Sequence, residues 1–238
     1  EHGEEGEESF ALLGLGRAHA AMGDRTAAGR FLRRALALRE GRPDRMGEAV
    51  ARLALAENHL QLQQMEKAAS EARRAHFDLS LLAESALLGD AEQLLGRIEI
   101  SRRRLVAAGG HFAAALEIHL RQGDGAQALV DQSLQLELAL TQKDGREARR
   151  LTEELAPRIE EVPTGQRATF AFRLAGSCEW LLARGQQAAA PASFLERAYR
   201  ELLGIAGTLS QELRHRYLFE IAENAAILAA ATSHHLVA

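Results

Sequence analysis

The sequence predicts an all-α protein made of repeated helix pairs, on three observations. Ala and Leu, both strong helix formers, dominate the chain. Residues that favour pleated sheets are sparse, and Pro occurs only 4 times in 238 residues. Small and apolar residues then recur with one shared spacing. Gly16, Ala56 and Gly96 fall 40 apart. So do Ala28, Ala68, Ala108 and Ala148, then Leu32, Ala72 and Phe112, and Ala35, Ala75 and Ala115. Composition inflates any one match in an Ala-rich chain, so the strength lies in the common register.

Packing explains why such positions repeat. Antiparallel helices approach closely only where a side chain is small, as at Gly16 and Ala28. A larger residue such as Leu32 or Phe112 fills the space beside that contact. One helix pair cannot bury its own apolar face, so neighbouring pairs must stack on it.

The elements follow in order. Leu12, Leu15, Gly16 and His19 share one face of a first helix. Gly23-Asp24 breaks that helix and caps the second, which carries Ala28, Leu32, Ala35 and Leu36. Gly41-Arg42-Pro43-Asp44 ends the pair. The third unit closes at Gln122-Gly123-Asp124-Gly125, and the fourth turns at Lys143-Asp144-Gly145 and exits between Pro157 and Pro163. The fifth, with Trp180, Gly185, Phe194, Leu195 and Ala198, slips in register by a few residues. From Thr208 to about Thr232 an amphipathic helix of more than 20 residues carries Leu213, Tyr217, Leu218, Ile221, Ala225 and Leu228. It reads as a terminal cap or as a dimerisation or inter-domain helix.

Charge and chemistry exclude several functions. The net charge of −4 argues against a nucleic-acid binder. Arg far outnumbers Lys, with only Lys67 and Lys143 present, which fits a GC-rich bacterial genome. The run Arg102-Arg103-Arg104 reads as a solvated face. One cysteine, Cys178, rules out an intrachain disulfide and reads as a small buried hydrophobe. No apolar run reaches the ~20 residues of a membrane span. No Walker-type loop, Gly-x-Ser-x-Gly elbow or His-Glu-x-x-His cluster is present. His111 and His119, eight apart, are too distant to share a metal, and His234-His235 point to different sides of a helix. No cofactor, metal or catalytic group is expected. The chain opens without Met on an acidic stretch, Glu1 to Glu8, and reads as a cut from a longer cytoplasmic polypeptide.

These features resemble the tetratricopeptide repeat, or TPR. Leu12, Leu15-Gly16, His19, Gly23, Ala28, Leu32 and Ala35 carry the likeness in the first unit. Leu55-Ala56, His59, Ala68, Ala72 and Ala75 carry it in the second, and Leu95-Gly96, Ala108, Phe112 and Ala115 in the third. The fourth keeps Ala148 and Leu155 but has Thr152 where a bulky residue is expected. The unit exceeds the family's common length of about 34 residues, and long units of this kind are similar to helical regions of large bacterial signalling proteins.

The resemblance implies a right-handed α-solenoid of about five helix pairs plus a C-terminal capping helix. It implies one repeat domain over 1–238, with units at about 9–42, 49–82, 89–122, 129–158 and 166–204 and the cap at about 208–232. It also implies a non-catalytic scaffold whose first helices line a concave groove. Projected onto this sequence, the groove holds Arg17, Glu57, Arg97 and Glu137, with Leu13, Leu53, Gln93 and Ser133 beside them. The charges alternate in sign, unlike a Lys/Asn carboxylate clamp. They suit a protein or peptide partner, or another domain of the same polypeptide. Alternatively they pair with one another across adjacent repeats. Self-association through the C-terminal helix is the competing use of the molecule.

Overall fold

The computed structural model describes residues 2–41, 43–82 and 86–236. Arg42, read as part of the first inter-pair turn, and Glu1, at the start of the acidic stretch, lie outside the described residues. The chain forms two compact units, Glu1–Gly123 and Asp124–Ala238.

The first unit contains α1 (His2–Ala21), α2 (Arg25–Ala37), α3 (Arg45–Gln61), α4 (Met65–Ser80), α5 (Ala86–Ser101) and α6 (Leu105–Arg121). They pack as successive pairs, α1 with α2, α3 with α4 and α5 with α6. The first helices also stand side by side, since α3 touches both α1 and α5. The second unit contains α7 (Gly125–Gln142), α8 (Gly145–Leu155), a 3-10 helix η1 (Ala156–Glu161), α9 (Thr164–Leu182), α10 (Pro191–Ala206), α11 (Gln211–Phe219) and α12 (Ala222–Ser233). Again a first helix, α7, touches the next, α9. Among the described residues there is no strand, and no helix is long and apolar enough to cross a membrane.

The backbone carries the same period as the side chains. A left-handed residue sits between the helices of four pairs, at Gly23 (φ 85°), Gln63 (φ 58°), Arg103 (φ 61°) and Lys143 (φ 62°). Only the first is glycine, the residue that takes this conformation without a Cβ penalty. Asp caps follow where the sequence places them. Asp24 accepts from the Ala27 amide, Asp44 from Gly47, Asp124 from Gln127, and Asp144 from Arg146 and Glu147. The run Arg102-Arg103-Arg104 is therefore the α5–α6 turn and not a helix face. Arg102 pairs with Glu66 and Glu99 at 2.7 and 3.1 Å.

The small residues stand where helices meet. A Cβ at Gly16 would lie 2.6 Å from Leu32 Cδ2, and one at Gly96 2.6 Å from Phe112 Cδ1. At the matching positions the second unit of the repeat has Ala56 and Ala72, both fully buried. The fourth inverts the sizes, with Leu136 buried on α7 and Thr152 on α8. The Thr152 hydroxyl is satisfied by Ala148 O at 2.7 Å and Ser177 Oγ at 2.6 Å. The missing bulk at Thr152 is thus supplied from the partner helix.

The segment read as one helix over about 208–232 is two helices, α11 and α12, broken around Ile221. No Gly or Pro marks the break, because tertiary packing makes it. Leu218, Ile227 and Ala231 are buried, and α12 lies on both α9 and α10. Asn224 Nδ2 donates to Tyr217 O at 2.8 Å, satisfying a carbonyl that the break leaves without a helical partner. His234 Nε2 lies 3.0 Å from Glu179 on α9.

Candidate functional site

Each side chain of the projected groove has a definite place. In the first unit, Leu13 and Leu53 turn inward and belong to the apolar cores. Arg17 is exposed on α1, and Gln93 is half-buried on α5. Glu57 of α3 and Arg97 of α5 form a two-pronged ion pair, with nitrogen–oxygen distances of 2.7 and 3.1 Å. Burial alone would raise the Glu57 carboxyl, but the Arg97 charge and its hydrogen bond outweigh that and hold it below the usual carboxylate range. In the second unit, Ser133 is buried and its hydroxyl donates to Val130 O. Arg173 of α9 reaches both remaining members, Glu137 at 2.9 Å and Ser133 Oγ at 3.2 Å.

The charges therefore pair between first helices of adjacent repeats within each unit. The pairs stay partly open to water, with Arg97 27% and Glu57 37% exposed. Exposed pairs of this kind add little stability. Arg173 was not among the projected residues. It sits 40 residues after Ser133, so extending the period into the slipped unit finds it.

The histidines at equivalent repeat positions pack. His19 stacks on Phe31 with centroids 5.2 Å apart, and buried His59 pairs through Nδ1 with Gln64 at 2.8 Å. Burial pushes the Cys178 thiol up. Among the described residues no group of three His, Cys, Asp or Glu is placed to hold a metal ion.

Sequence spacing gave no sign of one cluster. Glu92 of α5 bridges two histidines, His76 Nε2 of α4 at 2.7 Å and His111 Nδ1 of α6 at 2.6 Å. Residues 16 and 19 apart on three helices share no local pattern. Burial would raise the Glu92 carboxyl, yet the hydrogen bonds from His111 and His76 outweigh it and hold it at about 2. The Glu92 hydrogen bond raises His76 above its ordinary 6.5, against the opposing effect of burial. The two shifts fix the sign of a pH dependence. The depressed carboxylate stabilises above its ordinary 4.5 and loses that contribution as pH falls toward about 2. The raised histidine stabilises below 6.5 and loses that contribution as pH rises through its folded value. Glu92→Gln is expected to cost on the order of 1–2 kcal/mol. Urea unfolding of both proteins across pH should show the largest difference between 4.5 and 6.5. A difference independent of pH would refute the assignment.

No family model matches the sequence, and no curated protein matches it. Solved structures do. The apo form of RapI superposes with a TM-score of 0.67 at 11% identity, covering 97% of this chain and 85% of its own. A Rap protein complexed with competence and sporulation factor gives 0.64 at 14% identity. That match covers 98% of this chain, which spans only 65% of the Rap protein. The nearly identical TPR-like repeats of a Podosopora anserina kinesin light chain give 0.60 at 14% identity, covering 83% of this chain and 96% of theirs. The chain thus has a TPR-like helical repeat fold, an α-solenoid.

Proposed function

We propose that the protein is a non-catalytic protein–protein interaction scaffold, the partner-recognition region of a larger bacterial signalling protein acting in the cytoplasm. The observation that carries this reading is the charged ladder on adjacent first helices. Arg17, then the Glu57–Arg97 pair, lie along one unit, and Glu137 with Arg173 along the other. Partly exposed charge pairs on a rigid scaffold can exchange partners with an incoming chain and set its register. The likeness to a Rap protein complexed with competence and sporulation factor supports the choice of a protein or peptide ligand. The partner is an extended segment, or a neighbouring domain of the same polypeptide. The burial of Leu218, Ile227 and Ala231 supports a capping role for the terminal helices over a self-association role.

A charge swap tests the reading while sparing the fold. Glu57→Arg with Arg97→Glu keeps the ion pair and reverses the polarity at both positions. Partners are first captured from the source organism with the full chain and identified by mass spectrometry. The swap is expected to weaken the leading partner about tenfold or more. Undiminished binding, with an unchanged melting temperature, would reject the ladder as the recognition surface.

A further inference from the structure

A surface helix ordinarily turns a polar face to water. The first helix, α1, turns an apolar one. Between residues 10 and 21 its outer arc holds Phe10, Ala11, Gly14, Leu15, Ala18 and Ala21, with no charged side chain among them. Phe10 is 73% exposed and Leu15 47%. The three alanines and Gly14 are exposed as well. By helical geometry Arg17 and His19 border the arc on either side. The opposite side of α1, with Leu12, Leu13 and Gly16, is the one that packs on α2.

The repeat shows what fits such a face. At the positions 40 residues on, α3 has Ala51, Leu55 and Asn58 in place of Ala11, Leu15 and Ala18, and all three are buried. The helix that covers them is α2, the second helix of the preceding pair. Ala51 and Leu55 share one apolar cluster with Leu32, Ala35 and Leu36 of α2. Asn58 Nδ2 donates to Arg25 O at 3.2 Å, and a Cβ at Gly29 of α2 would lie 3.1 Å from that nitrogen. The next period repeats the arrangement. Ala91, Leu95 and Ile98 of α5 are buried in a cluster with Ala72, Ala75 and Leu79 of α4. On α3 and on α5 these positions take an amphipathic second helix, and on α1 they stand open.

We propose that the open face of α1 docks an amphipathic helix of a partner protein, one that presents an apolar ridge of the kind that α2 turns to α3. A contiguous exposed apolar face marks an interaction surface, and helix-on-helix docking uses anchors at the spacing of Ala11, Leu15 and Ala18. Volume defines the occupant further. Where α3 has Ala54 and Asn58, α1 has Gly14 and Ala18. A bulky side chain therefore fits opposite Ala18, where α2 must use Gly29 against Asn58. Of the ladder residues only Arg17 borders this face, so it is a second surface beyond the one proposed above.

The test uses the full chain and a synthetic peptide of residues 23–40, which is α2 with its flanking turns, followed by NMR of backbone amides. Saturable shifts are expected at Ala11, Gly14, Leu15 and Ala18, and the same residues in scrambled order should give none. Leu15→Glu and Ala18→Glu alter exposed side chains, so each should keep the melting temperature and weaken binding about tenfold or more. A Gly29→Leu peptide should bind more tightly than a Gly29→Ala peptide, which supplies helix propensity without the bulk. The Glu57 and Arg97 charge swap should leave these affinities unchanged, which keeps the two surfaces separable. No saturable shift, or undiminished binding by both glutamate variants, overturns the proposal. Sedimentation of the chain alone should show a monomer. A dimer that Leu15→Glu dissolves would overturn the partner and assign the face to a second copy. If the larger polypeptide fails to bind a peptide that residues 1–238 bind, its own chain covers the face, and the partner is again overturned.

Discussion

Replacing Arg52 with Met is expected to destabilise the first unit by roughly 3–5 kcal/mol, the cost of removing one partner from a buried ionic network. The Arg52 side chain is only 1% exposed and sits among three carboxylates. Its Nε donates to Glu48 at 3.0 Å, one terminal nitrogen to Glu71 at 2.7 Å and the other to Glu40 at 2.8 Å. Burial pulls the guanidinium pKa down, but the hydrogen bonds it donates to these three glutamates raise it overall. The network ties α3 to α4 and to the chain just beyond α2, so it joins one repeat to the next. Methionine fills the apolar stem and leaves Glu48 and Glu71 half-desolvated with no cation between them. Urea unfolding measures the loss. A triple variant, Arg52→Met with Glu48→Gln and Glu71→Gln, should recover most of it, because neutral amides no longer repel. A loss below about 1 kcal/mol for Arg52→Met would show that the carboxylates rehydrate freely.

Arg52 also illustrates what the sequence displays and what it hides. Helix pairing, turn positions and the small-residue contacts were legible because they repeat at a fixed spacing. Gly16 and Gly96 stand at close helix contacts and Asp24 caps α2 as their positions suggested, and Asp124 and Asp144, read only as turn residues, cap α7 and α8. Features whose residue types change from one repeat to the next were not, even where the positions repeat, as Arg52 and Glu92 do, and Glu71 and His111, each 40 apart. The Arg52 network, the Glu92 bridge between His76 and His111, and the break at Ile221 depend on which neighbour a side chain meets in three dimensions. Arg17 is exposed and Glu57, Arg97 and Glu137 stand partly open to water, whereas Leu13 and Leu53 are buried. A helix one face of which contacts the next first helix buries aliphatic side chains that a single-helix projection leaves outside. The slipped register at Gly185 was visible as a defect in the period. Its cause, a connection of 183–190 between α9 and α10 in place of a two- or three-residue turn, needed the structure.

The volume shared between paired helices leads to the second large effect. At one repeating contact Gly16 meets Leu32 and Gly96 meets Phe112, and the corresponding positions of the other units hold Ala56 and Ala72, then Leu136 and Thr152. Where one helix gains bulk the other loses it, as a close-packed interface requires. Gly96→Ala adds one methyl in a helix, which by propensity alone gains up to about 1 kcal/mol. Here the methyl would lie 2.6 Å from Cδ1 and 3.1 Å from Cζ of the Phe112 ring. That ring is fully buried and rigid, so the helices must separate, and a net loss of roughly 2–3 kcal/mol is expected. Gly16→Ala would bring its methyl to 2.6 Å from Cδ2 and 2.7 Å from Cγ of Leu32, which is fully buried, with Leu32 N at 3.3 Å, so it should destabilise as well. The sign should reverse when the ring is removed. In a Phe112→Ala background Gly96→Ala recreates the residue types at the corresponding positions Ala56 and Ala72 and should stabilise relative to that background. A double-mutant cycle on thermal or urea unfolding reads the coupling directly. Additive effects of the two substitutions would sink the argument, because they would mean that residues 96 and 112 do not share one volume.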